Sequence, residues 1–426
     1  MNPLSKHRTK ITIVVFLLLA ALGTVAIFWA RGFKPNFKNG TIERTGLIVA
    51  DSVPTGAQVY LDDRLTSATN TSIAFLEPKT YKVRIEKEGF TKWEKEVTVI
   101  ADLATEIHAL LFPLAPEIKP LTTTGASNPT LSPDGTKIVY GVGGERGGIY
   151  LQPMTETPFG FGQSSKILTK NTTGFDFSNA VFTWAPDSRQ LIATFFDDKA
   201  VAVANLIIDA DKTSQELRDI TASLTATLSD WQGQIDIRTQ TQAVLAPDEV
   251  KSATGGANLA SPSLLPSPLT KVKNPTTQPA SPAGGPSNNP TIQLNYYPTG
   301  LIFSPDEEKI LYKNKENKYH VYDLKGKKDY TLPDFADFIT ISWYPDSAHL
   351  VVAQKDMISI IETDGNNKVT IYQGKFTNPR PPATETAGIV GRGFVFAHPS
   401  GTRLIILTTL TQQESTPANL YSINLR

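Results

Sequence analysis

The sequence contains no cysteine among its 426 residues. This absence excludes disulfide bonds, thiol catalysis, zinc held by cysteine and a lipid-modified N-terminal cysteine. Neither sign of charge is in excess, because 41 Lys and Arg balance 41 Asp and Glu. A net charge of zero argues against nucleic acid, or any anionic surface, as the main partner of the whole chain. The length is sufficient for two or three domains.

Patterns that carry catalysis or cofactor binding are also scarce. The five histidines have no metal-binding spacing, and the sequence contains no Gly-x-Ser-x-Gly elbow. We therefore predict no catalytic, metal-binding or cofactor-binding residue. Three weaker patterns have simpler interpretations. Residues 141–149 (GVGGERGGI) predict a hairpin turn, Asp209 with Asp211 and Thr213 predicts a solvated turn, and His320 is a structural side chain in a strand.

Residues 11–30 form one run of 20 residues without a charge. Such a run spans the hydrocarbon core of a bilayer, about 30 Å, as a helix. A cleaved signal peptide would end in small residues, whereas Phe28 and Trp29 occupy the end of this run. We therefore predict an uncleaved anchor between a short cytoplasmic tail (1–10) and a linker (31–44). Basic residues nearly balance on the two sides, so the prediction of an exported C-terminal part depends on the short tail and the long β-rich remainder.

Residues 45–112 predict a small antiparallel β-sandwich. Val83 and Ile85 alternate with charged residues, which is typical of a half-buried strand. The same segment contains a recognisable set of residues: Pro54, Gly56, Ala57, Tyr81, Gly89 and Phe90. With these residues it resembles the PEGA domain family, although Thr55 stands where the family has Glu. The resemblance implies a cell-envelope or surface protein in which this domain is a binding module or a spacer.

One short motif recurs five times in the rest of the chain. It appears as LSPDGTKIVY, WAPDSRQLIA, FSPDEEKILY, WYPDSAHLVV and FAHPSGTRLII, which start at Leu131, Trp184, Phe303, Trp343 and Phe396. Proline sets the backbone angle of a turn, and aspartate bonds to its own backbone. The apolar and aromatic residues on both sides of this turn indicate a β-hairpin. The motif residues are therefore predicted to build turns: Pro133, Asp134, Gly135, Pro186, Asp187, Pro305, Asp306, Pro345, Asp346, Pro399 and Gly401.

A second pair of strands follows most copies, so each unit contains about four short strands. Four-stranded units that recur about every 40–55 residues predict the blades of a β-propeller. The motif resembles the WD-type repeat of TolB-like propellers over residues 117–426. We expect about six blades, with five or seven as alternatives. Residues near Glu117 to Leu121 are expected to supply a closing strand to the last blade.

The repeat spacing roughly doubles between Pro186 and Pro305. Residues 245–291 are rich in Pro, Ser and Thr and nearly free of aromatic residues, so we predict that they are disordered. Residues 221–244 have two interpretations. They form either strands of a degenerate blade around Trp231 or part of the same loop.

The sequence thus predicts a mainly β protein with a transmembrane helix, a PEGA-like sandwich and a propeller. We predict a non-catalytic binding or scaffold protein of the cell envelope. Its propeller would bind an envelope protein or a cell-wall or surface glycan, and not nucleic acid. One alternative is a sensor that acts through a membrane partner. The other is a glycan-active propeller enzyme whose site is assembled from several blades.

Overall fold

The computed structural model describes residues 3–30, 32–36, 41–155, 164–197, 201–254, 301–375, 395–409 and 417–426. Residues 255–291 of the predicted disordered insertion lie outside the described residues. The chain divides into two compact units, Met1–Pro116 and Glu117–Leu425.

The first unit begins with helix α1 (Pro3–Ala30). Within it, the 19 residues Lys10–Phe28 are apolar and long enough to cross a membrane. Residues 31–44, expected to be a linker, contain an antiparallel hairpin of β1 (Phe33–Asn36) and β2 (Thr41–Arg44).

Two small sheets form the sandwich of this unit. One has three strands, β3 (Gly46–Val53), β6 (Thr71–Leu76) and β9 (Ala104–Leu110); the other has four, β4 (Gln58–Leu61), β5 (Arg64–Ala68), β7 (Thr80–Glu86) and β8 (Trp93–Thr98). Alternate residues such as Val59, Val83 and Ile85 are fully buried between them. One pair differs from the predicted antiparallel arrangement, because β9 runs parallel to β3. The chain crosses from β8 to the other sheet at the end where β3 begins, so both strands run the same way.

The second unit contains five four-stranded antiparallel sheets in its described part, and the first four are meanders of consecutive strands. Sheet 1 has β11 (Ser127–Leu131), β12 (Lys137–Val142), β13 (Gly148–Pro153) and β14 (Lys166–Lys170). Sheet 2 has β15 (Val181–Trp184), β16 (Gln190–Phe196), β17 (Ala202–Asp209) and β18 (Arg218–Asp219). Sheet 3 has β19 (Leu301–Phe303), β20 (Lys309–Lys313), β21 (Tyr319–Asp323) and β22 (Lys328–Thr331). Sheet 4 has β23 (Phe338–Trp343), β24 (His349–Gln354), β25 (Met357–Glu362) and β26 (Val369–Gln373).

Sheet 5 takes its strands from both ends of the unit. It contains β27 (Val395–Ala397), β28 (Arg403–Thr408) and β29 (Asn419–Asn424), with β10 (Ile118–Pro120) on its outer edge. Ile118 pairs with Ile423, and Pro120 pairs with Tyr421. The predicted closing strand near Glu117 to Leu121 is therefore confirmed.

Helices replace strands between sheets 2 and 3. A short 3-10 turn (Thr221–Ser223) leads into α2 (Leu224–Leu245), and α3 (Asp248–Ala253) follows. Both interpretations of residues 221–244 were wrong, as was predicted disorder for residues 245–254. The apolar residues Leu228, Trp231 and Ile235 recur at a spacing of three and four, so one face of α2 is buried. Asp248 and Glu249 at the start of α3 favour its N-terminus.

Each element of this unit packs on the next. Sheet 5 shares a core with sheet 1, sheet 1 with sheet 2, and sheet 3 with sheet 4. The Tyr344 hydroxyl of sheet 4 donates to the Gly401 carbonyl of sheet 5. Between sheets 2 and 3, α2 packs on Ile192 of sheet 2, while Val250 of α3 packs on sheet 3. Five sheets and the helical insertion thus complete the circuit of contacts.

One position of the repeated turn links sheets 2, 3 and 4 to the element before each of them. Ser188 Oγ accepts a hydrogen bond from the Asp134 backbone at 3.1 Å, and Ser347 Oγ accepts one from the Asp306 backbone at 3.1 Å. The corresponding residue of sheet 3 is Glu307, whose carboxylate accepts from Gln242 of α2 at 3.2 Å. Helix α2 therefore occupies the place that a preceding sheet would fill.

Two glycines test whether Gly233 lies in a helix and whether Gly135 has a left-handed backbone. A Cβ at Gly233 in α2, or at Gly135 in the first repeated turn, would meet no atom within 4 Å. Only Gly135 has a left-handed backbone, with φ +71°. We expect Gly233→Ala to raise the free energy of unfolding by about 1 kcal/mol and Gly135→Ala to lower it by about 1 kcal/mol. Urea unfolding measures the free energy of unfolding of both variants. Changes in the same direction would contradict the helix at Gly233 or the left-handed backbone at Gly135.

Candidate binding groove

The repeated turns use their aspartates to stabilise themselves. Asp134 Oδ1 accepts from Ser132 Oγ at 2.6 Å and from the Thr136 backbone and hydroxyl at 3.0 and 2.8 Å. Asp187 and Asp346 accept from the backbone two residues further on, at 3.0 and 2.9 Å. Because each carboxylate, that of Asp306 included, serves its own turn, the structure places these four aspartates in four separate hairpins and not in one shared site.

Asp134 and Asp306 of the repeated turns also have shifted pKa values. Burial raises the pKa of the Asp306 carboxyl, but hydrogen bonds from Ser304 and the Glu308 backbone, with the charge of Lys309, outweigh burial and hold that pKa below its usual range. Burial also raises the pKa of the Asp134 carboxyl, but hydrogen bonds from Ser132 and Thr136, with the charge of Lys137, outweigh burial and hold that pKa below its usual range.

Because the pKa of Asp306 is lowered in the folded state, the contribution of this residue to stability changes with pH in a definite direction. The unfolded carboxyl, with a pKa near 3.8, binds protons before the folded one. The contribution of Asp306 to stability is therefore complete above that pH and is lost as pH falls through the folded pKa. We expect Asp306→Asn to be less stable than the natural protein at pH 7 and the difference to narrow at pH 3. Urea midpoints at both pH values measure it, and an unchanged difference would argue against the assigned hydrogen bonds.

The PEGA-like motif residues build the sandwich. Ala57 and Tyr81 are buried in its core. Gly56 and Gly89 occupy turns with φ of 73° and 82°. Phe90 packs against the core and bridges to Pro113.

The weaker sequence patterns have local hydrogen-bond partners. His320 Nδ1 lies 2.9 Å from Asp329 Oδ2, and its Nε2 lies 3.1 Å from Asn314 Nδ2. Asp209 pairs with Lys212 at 3.0 Å, and Asp211 lies 3.4 Å from Lys137. Among the described residues, no group of three or more His, Asp or Glu side chains is placed to hold a metal ion.

A groove lies between α2 and the first turn of sheet 3. Its volume is about 390 Å³. One stripe of α2 forms one wall, and Glu307 contributes from the turn. The lining residues are Gln234, Ile237, Arg238, Thr241, Gln242, Leu245 and Glu307.

Polar groups on the floor of the groove are fixed by the fold. Gln242 is only 4% exposed, and its Nε2 donates to Glu307 Oε1 at 3.2 Å. The Arg238 guanidinium lies 3.8 Å from the same carboxylate oxygen. Gln242 Oε1 accepts no hydrogen bond from any residue that the structure describes. A buried acceptor of this kind is unfavourable by about 1–3 kcal/mol until it meets a donor.

The rim of the groove is apolar and exposed. Ile237 is 72% exposed, Val244 is 64% exposed and Leu245 is 49% exposed, all on the C-terminal half of α2. The N-terminal half of the helix instead buries Leu228 and Trp231 against sheet 2. The groove thus offers exposed apolar contacts and one ion pair within a single surface.

Sequence reasoning missed this groove because residues 221–244 were not recognised as a helix. The available signal was the spacing of Leu224, Leu228, Trp231 and Ile235, which repeats every three or four residues. On that helix, Ile237 and Val244 fall away from the buried stripe, so their exposure follows from the same periodicity.

A comparison with known protein families confirms the PEGA domain that the sequence predicts in the first unit. Residues 45–113 match the model of the PEGA domain family. The comparison with curated proteins gave no match.

Solved structures with similar folds are β-propeller proteins and enzymes. A protein assigned as TolB from Agrobacterium tumefaciens is 11% identical, over 72% of this chain and 83% of that chain, with a TM-score of 0.24. The β-propeller domain of the Trilobed protease from Pyrococcus furiosus is 14% identical, over 89% and 96%, with a TM-score of 0.24. Oligogalacturonate lyase in complex with manganese is 8% identical, over 81% and 83%, with a TM-score of 0.28. These likenesses at low identity carry no information on activity. The chain therefore combines a candidate membrane anchor, a segment that matches the PEGA domain family and, in its described part, five four-stranded antiparallel sheets typical of propeller blades.

Proposed function

We propose that this chain is a membrane-anchored, extracytoplasmic binding or scaffold protein of the cell envelope, without catalysis. Helix α1 holds it in the membrane with the short tail in the cytoplasm. The second unit binds a segment of a partner protein in the α2 groove. The observation that carries this proposal is the exposed apolar stripe of Ile237, Val244 and Leu245 beside a groove of about 390 Å³.

The chemistry of the groove favours a protein over a glycan. Among the residues that the structure describes, the seven that line the groove include no aromatic ring. Sugars bind well to exposed rings, whereas apolar side chains of a peptide fit an aliphatic rim. Arg238 and Glu307 would fix the partner's orientation through complementary charge.

The test is a comparison of three full-length proteins in membranes of the source cells. The natural protein, Ile237→Asp and Val203→Asp each carry a C-terminal tag and are purified in mild detergent. Val203 is the matched control, because it is an apolar residue of sheet 2 with 56% exposure. A partner that binds the groove is expected to copurify with the natural protein and with Val203→Asp, and to be lost by at least tenfold with Ile237→Asp, since a charge in an apolar contact costs more than about 1.4 kcal/mol.

Four other outcomes would each argue against one part of the proposal. A partner retained equally by both variants would place binding elsewhere on the chain. Copurification of a wall or surface glycan instead would favour the glycan interpretation. Turnover of a glycan by the natural protein would contradict the non-catalytic proposal. A tag accessible to protease only after cell lysis would contradict the extracytoplasmic placement.

A further inference from the structure

The sandwich has two ends that differ in their distance from helix α1. The Gly32 carbonyl accepts from the Thr45 backbone at 3.1 Å and from its hydroxyl at 2.5 Å. Thr45 precedes β3, so the start of β3 is tied to the end of the helix. We call the end with Gly46 the proximal end and the end with Val53 the distal end. The eight residues of β3 separate the two ends by roughly 25 Å.

The turn at residues 100–103 belongs to the proximal end. The Asp102 backbone donates to the Thr45 carbonyl at 3.1 Å, and the Leu47 backbone donates to the Leu103 carbonyl at 3.2 Å. The Arg44 guanidinium bonds to the Asp102 carboxylate at 2.8 Å. This turn is therefore fixed within a few residues of the exit of helix α1.

Exposed apolar side chains are concentrated at the same end. The described sandwich exposes six large hydrophobic residues, and four of them are proximal: Leu65, Phe75, Ile100 and Leu103. Val53 and Leu114 are at the distal end. Ile100 and Leu103 are each 55% exposed although they flank the ion pair of Arg44 and Asp102.

The membrane span places this turn at the lipid surface. The apolar part of α1 ends at Phe28, so Ala30 and Gly32 lie in the headgroup layer, which is about 5–8 Å thick on each side of the hydrocarbon core. Residues bonded to Gly32 through Thr45 lie in or beside the same layer. Side chains with apolar bodies are stable at that depth.

We propose that the PEGA domain rests on the bilayer that holds α1, with Ile100 and Leu103 inserted among the lipid headgroups. This inference rests on the proposed uncleaved anchor. The occupant of the apolar turn is a lipid surface and not a protein, because the turn is hydrogen-bonded through Thr45 to Gly32, two residues beyond the end of helix α1. The PEGA domain would thus contact the membrane with its proximal end, and the PEGA motif turn at Pro54–Ala57 would face away from the membrane.

Lipid charge is not needed for this contact. The proximal end carries near-balanced charge, with three cations and four carboxylates among its described residues: Arg44, Arg64, Lys79, Asp62, Asp63, Glu77 and Asp102. Attachment by apolar insertion should therefore be the same on zwitterionic and anionic bilayers.

The absence of native cysteine allows a direct test with full-length protein in phosphatidylcholine nanodiscs. Single variants Ile100→Cys, Leu103→Cys and Leu114→Cys are labelled with a nitroxide. Leu114 is the distal control and is 68% exposed. We expect the ratio of oxygen to aqueous nickel-chelate accessibility to be about threefold or more higher at positions 100 and 103 than at 114, because oxygen partitions into the bilayer.

Three results would overturn the inference, and intact mass distinguishes the first two. Equal accessibility ratios at 103 and 114 in an intact chain would remove the lipid contact and leave the anchor in place. A chain that has lost its first residues would remove the anchor and the contact together. A rise in the ratio only with anionic lipid would contradict insertion by apolar side chains.

Discussion

Gly141→Ala is expected to lower the free energy of unfolding of the propeller unit by about 3 kcal/mol. Gly141 lies on β12, and an added Cβ would be 2.0 Å from the Phe177 carbonyl oxygen and 2.6 Å from its carbonyl carbon. These are backbone atoms and have little freedom to move. Phe177 is fully buried, and its N–H donates to Asn171 Oδ1 at 3.1 Å. The methyl group must therefore push apart sheet 1 and the turn that leads into sheet 2.

Gly144→Ala is the matched control in the same hairpin. Its added Cβ would meet nothing within 4 Å, although φ is +76°, so a loss of only about 1–2 kcal/mol is expected. Urea unfolding and hydrogen exchange of β12 and β14 measure both variants. Equal losses for the two variants would mean that the close approach of Gly141 and Phe177 does not exist in solution.

Asn419→Ala is expected to lower the free energy of unfolding by about 3 kcal/mol, because it opens the junction between the two ends of the propeller unit. Asn419 Oδ1 accepts from the Thr122 hydroxyl at 2.9 Å and from the Gly125 backbone at 2.9 Å. The Thr122 hydroxyl in turn accepts from the Leu420 backbone at 2.9 Å. All of these groups are buried, so alanine would leave buried donors without an acceptor.

Thr122→Ser is the control for this junction, because it keeps the hydroxyl and removes one methyl group. We expect a loss of about 1 kcal/mol for it. Thr122→Val combined with Asn419→Ala should cost less than the sum of the single changes, since the two residues share one network. Hydrogen exchange should rise first in β10 and β29. Additive losses, or exchange that rises elsewhere first, would contradict a junction held by Asn419.

The sequence predicted the parts of the fold that depend on local chemistry. The repeated Pro-Asp turns predicted the hairpins, because turn geometry depends on a few neighbouring residues. The closing strand near Glu117 to Leu121 was also predicted, and it pairs with β29. The role of Ser188 and Ser347 could not be predicted from the sequence. They stand where the family motif has Gly, and only the structure shows that their hydroxyls accept from the preceding turn.

Features that depend on distant contacts were not predicted. Thr-rich residues in α2 obscured its helical spacing, and its burial against Ile192 of sheet 2 became visible only in three dimensions. The parallel pairing of β3 and β9 joins segments more than fifty residues apart. The groove needs both α2 and Glu307 of sheet 3, which are separated in sequence by the Pro-rich insertion.

Site-specific photocrosslinking in native membranes tests the central claim most directly. A photoreactive residue replaces Ile237 in the groove or Val203 on sheet 2, and the full-length protein is irradiated in intact source-cell membranes. Both positions are more than half exposed. The account predicts one abundant protein adduct from position 237 that is absent from position 203. Identical adducts from both positions, or none from position 237, would contradict a partner in the α2 groove.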